Sequence, residues 1–230
     1  MSNNAYRKSK AILAIIFNIS IVVLEIIGVV LSIKRHGLRA FQFYTELSNY
    51  LTLFVSFLFV ISANISLMQC TPIPRIISNL RFTCTTCLCI TFIVVLLILI
   101  PMFPDTFTFM LFRDSNLYQH TLCPILSFVS FISFENTQEL SKRSMFFAIL
   151  PTIIYGITML ILNFLRIITG PYPFFYIYDI PWYSSTLIIS IISLTAIFVA
   201  TTLRAIHNRN FANYKTIRHP SPQSISQEQL

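Results

Sequence analysis

The 230-residue sequence predicts an all-α polytopic membrane protein, a bundle of six transmembrane helices with both termini in the cytoplasm. Hydrophobic residues make up 55% of the chain and charged residues only 10%, whereas soluble domains carry about 25% charged residues. The mean hydropathy is +0.74. Long apolar runs recur between residues 11 and 203, and a bilayer core about 30 Å thick requires about 20 helical residues per crossing. Composition therefore excludes a soluble enzyme, a nucleic-acid-binding domain and a secreted disulfide scaffold.

The apolar runs define six expected helices with short connections. We expect the crossings at residues 11–33, 46–68, 83–103, 116–134, 145–166 and 183–203. The first run resembles the start of a signal peptide, but it stays apolar for over 20 residues and lacks a small-residue cleavage site. We therefore interpret it as a retained helix. The chain then divides into a cytoplasmic N-terminus (1–10), a six-helix transmembrane domain (11–203) and a polar, disordered cytoplasmic tail (204–230).

The distribution of basic residues predicts the orientation. The formal charge of +8 is spread over short clusters between the apolar runs and forms no nucleic-acid-binding patch. With the N-terminus inside, eleven of the 16 Lys and Arg residues are cytoplasmic: Arg7, Lys8, Lys10, Arg75, Arg81, Lys142, Arg143, Arg204, Arg209, Lys215 and Arg218. The outer segments hold the other five: Lys34, Arg35, Arg39, Arg113 and Arg166.

The start of helix two carries an unexpected polar face. Gln42, Thr45, Ser48 and Asn49 fall at spacings that place them on one side of a helix. Polar side chains are costly in lipid, so this face is expected to point into the bundle. It either bonds helices to one another or lines a functional site.

Helix four opens with the one histidine that lies inside a predicted crossing, His120. Pro124 removes the amide donor for the His120 carbonyl and predicts a kink there. Thr45 and His120 each lie about five residues below the outer start of their helices, which at 1.5 Å per residue is a depth of roughly 7–8 Å. A hydroxyl and an imidazole at matching depth meet the first requirement for a base-activated nucleophile. The alternative is a structural histidine whose ring nitrogens are hydrogen-bonded within the bundle.

Three further residues are candidates near the outer end. Glu25 shares a face of helix one with Asn18 and Ser32 and can orient His120, form a structural pair or relay protons. Arg166 is either a snorkelling anchor or a cation for a lipid headgroup. Tyr172 belongs to the aromatic loop GPYPFFYIYDIPWY at 170–183, which is either an interfacial belt or a lid or wall of a lipid-sized cavity.

The five cysteines indicate neither redox nor metal chemistry. They lie in or beside apolar segments, and the C-x-x-C formed by Cys84 and Cys87 lies at the predicted cytoplasmic end of helix three, where thiols stay reduced. Metal binding would require more ligands than the sequence places nearby. We predict packing roles for these thiols, and no metal or cofactor.

Three short motifs, in this order, carry a resemblance to a known family. They are FYTELSNYL at Phe43–Leu51, H-x-x-x-P at His120 and Pro124, and PYPF at Pro171–Phe174. Together they resemble the bacterial "Pr-six-Pr" six-helix membrane proteins. Those are similar in turn to the androgen-induced protein and FAR-17a-like family, which includes the androgen-dependent TFPI-regulating protein. The resemblance spans roughly residues 10–205.

The resemblance implies a lipid hydrolase. In the eukaryotic members an intramembrane threonine and a histidine hydrolyse fatty acid esters of hydroxy fatty acids, and these map onto Thr45 and His120. Membrane lipids are then the partners, with a lipid ester in the outer half of the bilayer as substrate. Gln42, Ser48 or Asn49 can donate to the oxyanion. Asp179 is not carried over, because FYIYD after the PYPF motif departs from the expected pattern.

The alternative function is non-enzymatic: a small transporter, or a structural or immunity-type component. Glu25, His120 and Arg166 would then line an ion or solute path. The abundance of Ile, Asn, Phe and Lys over Gly and Ala indicates an AT-rich genome. The expected location is the bacterial plasma membrane, as a multi-pass protein.

Overall fold

The computed structural model describes residues 3–135 and 138–218, and the regular secondary structure there is helical throughout. The α-helices are α1 (Asn3–His36), α2 (Tyr44–Gln69), α3 (Arg75–Val94), α4 (Ile100–Met102), α5 (Phe107–Phe112), α6 (Asp114–Asn116), α7 (Cys123–Ser133), α8 (Lys142–Phe164) and α9 (Trp182–Arg218). π-helical segments at Val95–Leu99 and Leu117–Leu122 continue α3 into α4 and α6 into α7. Short 3-10 helices occupy Gly37–Gln42, Pro104–Thr106 and Pro173–Phe175. The predicted all-α class is confirmed.

Within these described residues, five helices are long and apolar enough to cross a membrane. They lie at Lys8–Gln42, Tyr44–Gln69, Arg75–Met102, Lys142–Phe164 and Trp182–Asn213. The fourth expected crossing corresponds to a continuous helical run from Asp114 to Ser133, of which Leu117–Leu122 has π-helical geometry. The proline-linked distortion expected near Pro124 thus takes the form of this π-helical segment. The count of six crossings and the cytoplasmic termini stay predictions.

Polar groups point inward and apolar groups outward, which is the arrangement of an integral membrane protein. On α1, Asn18, Glu25 and Ser32 are fully buried, whereas Ile16 and Val23, on another face of the same helix, are each 51% exposed. A soluble protein would bury the aliphatic face and expose the carboxylate. The shared face expected from the seven-residue spacing is confirmed.

Helix α3 is the centre of the bundle. It packs against α2, α7, α8 and α9, while α1 packs against α2 and α7. Phe82 of α3 stacks on Phe131 of α7, with ring centroids 5.7 Å apart, and Ala200 of α9 belongs to the same buried cluster. This arrangement leaves the C-terminal halves of α3 and α8 and the N-terminal half of α9 facing one another around a space described below.

The last helix is longer than expected. The prediction ended it at 203 and made 204–230 a disordered tail, but α9 continues to Arg218. Its extension docks on the segment before α8: Arg204 Nε donates to the Leu140 carbonyl at 2.9 Å, and Asn208 bonds both the amide and the carbonyl of Leu140. These contacts come from distant sequence, so local polarity could not predict them. Residues 219–230 lie outside the described residues.

Two residues assigned to polar connections are buried inside the bundle. His207, expected in the tail, is fully buried and stacks on Phe131. Arg81, counted as a cytoplasmic orientation signal, lies within α3 and is also fully buried. Both are corrections to the sequence-based interpretation, because each side chain finds a buried partner that lies far away in sequence.

Candidate functional site

A cavity of about 350 Å³ lies in the half of the bundle at the N-terminal end of α2. This volume falls within the range of about 300–1,000 Å³ that small-molecule sites occupy. Its body is apolar and is formed by α3, α8, α9 and the loop before α9, with Val94, Leu160 and Ile192 among the lining residues. The shape and chemistry suit a hydrocarbon chain.

The cavity opens sideways between α8 and α9. Ile153 and Ile157 of α8 and Ile197 of α9 line it and are 41%, 53% and 49% exposed. Gly156 also lines it, and a Cβ added there would meet no atom within 4 Å. Because the outer faces of α8 and α9 are the apolar surface of the bundle, the mouth faces lipid.

Hydroxyl groups gather at one end of the cavity. Tyr44 and Thr152 bond each other at 2.7 Å, and the Tyr155 hydroxyl donates to the Gln42 carbonyl at 2.8 Å. Ser48 bonds Thr91 at 3.3 Å. The polar end therefore carries no charge, and most of its hydroxyls are already hydrogen-bonded to neighbouring groups. It can accept a neutral polar group such as an ester.

Thr45 is the buried hydroxyl of this end that faces the aromatic loop. Its Oγ1 shares a hydrogen bond of 3.3 Å with the Tyr172 hydroxyl, and both residues line the cavity. The Tyr172 ring stacks on Phe174 with centroids 5.2 Å apart. Burial raises the pKa of the Tyr172 phenol, so it keeps its proton at neutral pH and remains a donor.

Gly170 allows the aromatic loop to fold against this end. A Cβ at this position would stand 2.5 Å from the Phe175 Cβ, a distance that real Cβ atoms do not show. Phe174 and Phe175 are buried and form part of the cavity wall. Of the two interpretations offered for this loop, the geometry matches the cavity wall for Tyr172, Phe174 and Phe175.

His120 lies in the π-helical segment and is held by a backbone carbonyl. Its Nδ1 is 2.7 Å from the carbonyl oxygen of Met110. A carbonyl only accepts, so Nδ1 carries the proton, and the neutral ring then has its basic lone pair on Nε2. The group that orients the His120 ring is therefore the Met110 carbonyl. The sequence had suggested Glu25 for this role.

The helices that carry Thr45 and His120 are in contact. Asn49 Nδ2 donates to the Thr45 carbonyl at 2.6 Å and lies 3.4 Å from the carbonyl of Gln119. Gln119 Nε2 in turn donates to Glu46 at 2.7 Å. Within the described residues, however, the hydroxyl of Thr45 and the ring of His120 share no hydrogen bond, and His120 is not among the cavity-lining residues.

The other predicted residues have defined places. Ser48 donates to the Thr45 carbonyl at 2.9 Å, so both Ser48 and Asn49 are buried on the expected inner face. Gln42 lies in the 3-10 helix before α2 and contributes its carbonyl to Tyr155. Arg166 is exposed, with its guanidinium 4.5 Å from the Tyr178 ring centroid, and it does not line the cavity.

A second buried polar region surrounds Arg81 and Glu135, two residues that the sequence pattern did not bring together. Arg81 binds Glu135 through two hydrogen bonds of 3.0 Å, and its remaining nitrogen donates to Ser56 at 3.0 Å. Asn18 and Ser130 donate to the same carboxylate at 2.9 and 2.6 Å. The available signal was that Glu135 directly follows predicted helix four, at the same end of the bundle as Arg81.

Glu25 lies on α1 between Asn18, which donates to Glu135, and Ser32, which donates to Glu46 of α2. It is fully buried, and no nitrogen or hydroxyl donor among the described residues bonds its carboxylate. The Cys123 thiol of α7 faces it. Cys84 and Cys87 are buried free thiols. Among the side chains that the structure describes, no group of three or more His, Cys, Asp or Glu is placed to hold a metal ion.

Comparison of the chain with protein-family models, with curated proteins and with solved structures finds no match. The resemblance to the six-helix families therefore stays an expectation that rests on the three motifs. What the fold and its apolar helices do support is an integral membrane protein.

Proposed function

We propose that this integral membrane protein takes the acyl chain of a membrane lipid into the cavity and hydrolyses an ester bond at its polar end. The observation that carries the proposal is the cavity itself: an apolar body of about 350 Å³, a mouth facing lipid between α8 and α9, and the Thr45–Tyr172 hydroxyl pair at the other end. Apolar volume binds the chain, and the hydroxyls receive the ester.

Thr45 is the proposed nucleophile and His120 the general base. Nε2 of His120 takes the Thr45 proton as Oγ1 attacks the ester carbonyl, and it then protonates the leaving alcohol. Water attacks the acyl-threonine in the second half and releases the fatty acid. The Tyr172 hydroxyl, already a partner of Oγ1, is the proposed donor for the oxyanion.

The proposed reaction requires Nε2 of His120 to approach Thr45 when substrate binds. Catalytic hydrogen bonds are often long in free enzymes and shorten in the substrate complex. The π-helical segment that carries His120 supports such an adjustment, because π-helical turns are frequent at functional sites.

The test is the hydrolysis of long-chain acyl esters by purified protein in liposomes, with fluorophosphonate labelling as a second readout. We expect Thr45→Val and His120→Ala each to lose at least about a hundredfold in kcat/KM and to lose labelling. Thr152→Val is the matched control, since it removes another hydroxyl from the same cavity and should retain labelling.

Equal labelling of wild type and Thr45→Val would overturn the assignment of the nucleophile. Folded wild-type protein that neither labels nor hydrolyses any ester would overturn the enzymatic proposal and favour the non-enzymatic alternative, a lipid-binding or transport protein using the same cavity.

A further inference from the structure

Helix α1 and the run from α6 to α7 form an antiparallel polar seam that is separate from the cavity. The seam is defined by three facing pairs: Gly28 with Gln119, Glu25 with Cys123, and Asn18 with Ser130. Asn18 Nδ2 lies 3.3 Å from Ser130 Oγ. From Asn18 to Gly28 the three pairs extend over about 15 Å at 1.5 Å per residue. The seam therefore covers about half of a bilayer core about 30 Å thick.

The seam holds an excess of unpaired acceptors. Buried oxygens without a hydrogen-bond partner in the described structure are Asn18 Oδ1, Glu25 Oε1 and Oε2, Asn49 Oδ1 and Gln119 Oε1. Buried polar atoms are paired in the large majority of cases. Two buried hydroxyls nearby are also unpaired, Ser115 Oγ of α6 and the hydroxyl of Tyr50, which follows Asn49 on α2. The five acceptor oxygens outnumber these two possible donors, and the excess indicates a missing donor or cation.

Amide flips do not remove this excess. The nitrogen of Asn49 donates to the Thr45 carbonyl, and that of Gln119 donates to Glu46. Turning either amide would place its oxygen against another acceptor. The unpaired oxygens are thus fixed by their own nitrogens.

The positive charge that Glu25 requires is not supplied by its described surroundings. The titratable groups that face it are the Cys123 thiol from α7 and the Glu46 carboxylate from α2, neither of which is a cation. Glu46 itself accepts hydrogen bonds from Ser32 and Gln119. The guanidinium of Arg81 is bound to Glu135. A buried carboxylate without a counter-charge takes up a proton or another cation.

We propose that Glu25 is the central carboxylate of a monovalent-cation site, filled by a proton or by Na⁺. The unpaired amide oxygen of Gln119, whose side chain packs against Gly28 one turn of α1 away from Glu25, is the neutral ligand atom of the same seam. Neither residue lines the lipid cavity, and occupancy of the site is measured separately from hydrolysis.

Labelling with dicyclohexylcarbodiimide tests the site on the wild-type protein. A protonated carboxyl adds across one C=N bond: its oxygen bonds the central carbon, its proton goes to nitrogen, and the adduct rearranges to an N-acylurea without a leaving group. An ionised or Na⁺-bound carboxylate does not react. Peptide mass spectrometry of protein in liposomes locates the adduct, with Glu25→Gln as the negative control and Glu139→Gln, which removes an exposed carboxyl, as the matched control.

We expect labelling at Glu25 in sodium-free buffer at about pH 5, and the same labelling in Glu139→Gln. For a proton site the labelling falls at least tenfold as the pH rises to about 9, because the proton is lost. For a sodium site the labelling at Glu25 falls by the same factor at constant pH when NaCl replaces N-methylglucamine chloride. Folded protein that stays unlabelled at Glu25, or is labelled equally at every pH and in both salts, would overturn the proposal.

Discussion

The cavity and the α1–α7 seam are both buried and polar, but they differ in charge and in how their groups are paired. At the cavity the polar groups are hydroxyls that bond each other, as in the pairs Tyr44–Thr152 and Thr45–Tyr172. Along the seam they include carboxylates, and Glu25 faces only the Cys123 thiol and the Glu46 carboxylate among titratable groups, whereas Arg81 and Glu135 form an ion pair. Neutral paired groups suit a neutral lipid, and unpaired acceptors suit a cation. Burial of polar groups alone therefore does not indicate one function.

The largest expected effect is on the buried ion pair of Arg81 and Glu135 beside the seam. Arg81→Met leaves the Glu135 carboxylate buried without its cation, so we expect a loss of about 3–5 kcal/mol in the free energy of unfolding. Denaturation of purified protein in detergent micelles measures it. Arg143→Met is the control, since Arg143 is exposed and its removal should change stability by less than about 1 kcal/mol. Equal effects of the two substitutions would contradict a structural role for the buried pair.

The cavity can be filled without touching its polar end. Gly156 faces open space, so Gly156→Phe is expected to block the mouth and reduce crosslinking to a photoactivatable fatty acyl lipid by at least about tenfold. Gly156→Ala adds one methyl group and should leave crosslinking nearly unchanged. Undiminished saturable crosslinking in the folded Gly156→Phe variant would show that lipid binds elsewhere.

The packing of the aromatic loop at 170–183 can be disturbed without changing any residue of the seam. Gly170→Ala places a methyl group against Phe175, so we expect a loss of about 1–3 kcal/mol in the free energy of unfolding. Thr169→Ala, a neighbouring exposed position, is the control and should be near neutral. If Gly170→Ala were as stable as wild type, the close packing of the loop on Phe175 would be wrong.

The smallest effect concerns accessibility of thiols. Cys70 is exposed, whereas Cys84, Cys87 and Cys123 are buried, so a membrane-impermeant maleimide should label Cys70 alone among these four. The predicted orientation adds that labelling occurs from the cytoplasmic side. Labelling of Cys70 from the outside in sealed cells would reverse the topology, and labelling of Cys123 in folded protein would contradict the packing of the seam.

The sequence predicted those features that depend on local composition. Apolar runs located the five helices that are long and apolar enough to cross a membrane among the described residues, and helical periodicity placed Asn18, Glu25 and Ser32 on one buried face. The equal depths of Thr45 and His120 below their helix starts predicted that the two residues lie at the same level. In the structure Asn49 links their two helices. These features follow from the helical repeat of 3.6 residues and from the length needed to cross a bilayer.

What could not be predicted depends on distant contacts and on rotation about a helix axis. Arg81 resembles an orientation signal until its partner, 54 positions away, is known. The π-helical segment Leu117–Leu122 changes the direction in which His120 faces, and a regular helical repeat does not anticipate it. The continuation of α9 past 203 depends on docking to Leu140. In each case a tertiary contact overrides the local pattern.

The most direct test of the proposed function is the site of acyl transfer. Protein incubated with a long-chain acyl ester and quenched in acid is digested, and the acylated peptide is identified by mass spectrometry. The account predicts the acyl group on Thr45 in wild type and in Thr152→Val, and its absence from Thr45→Val. Ester hydrolysis with the acyl group on another residue, or undiminished in Thr45→Val, would contradict it.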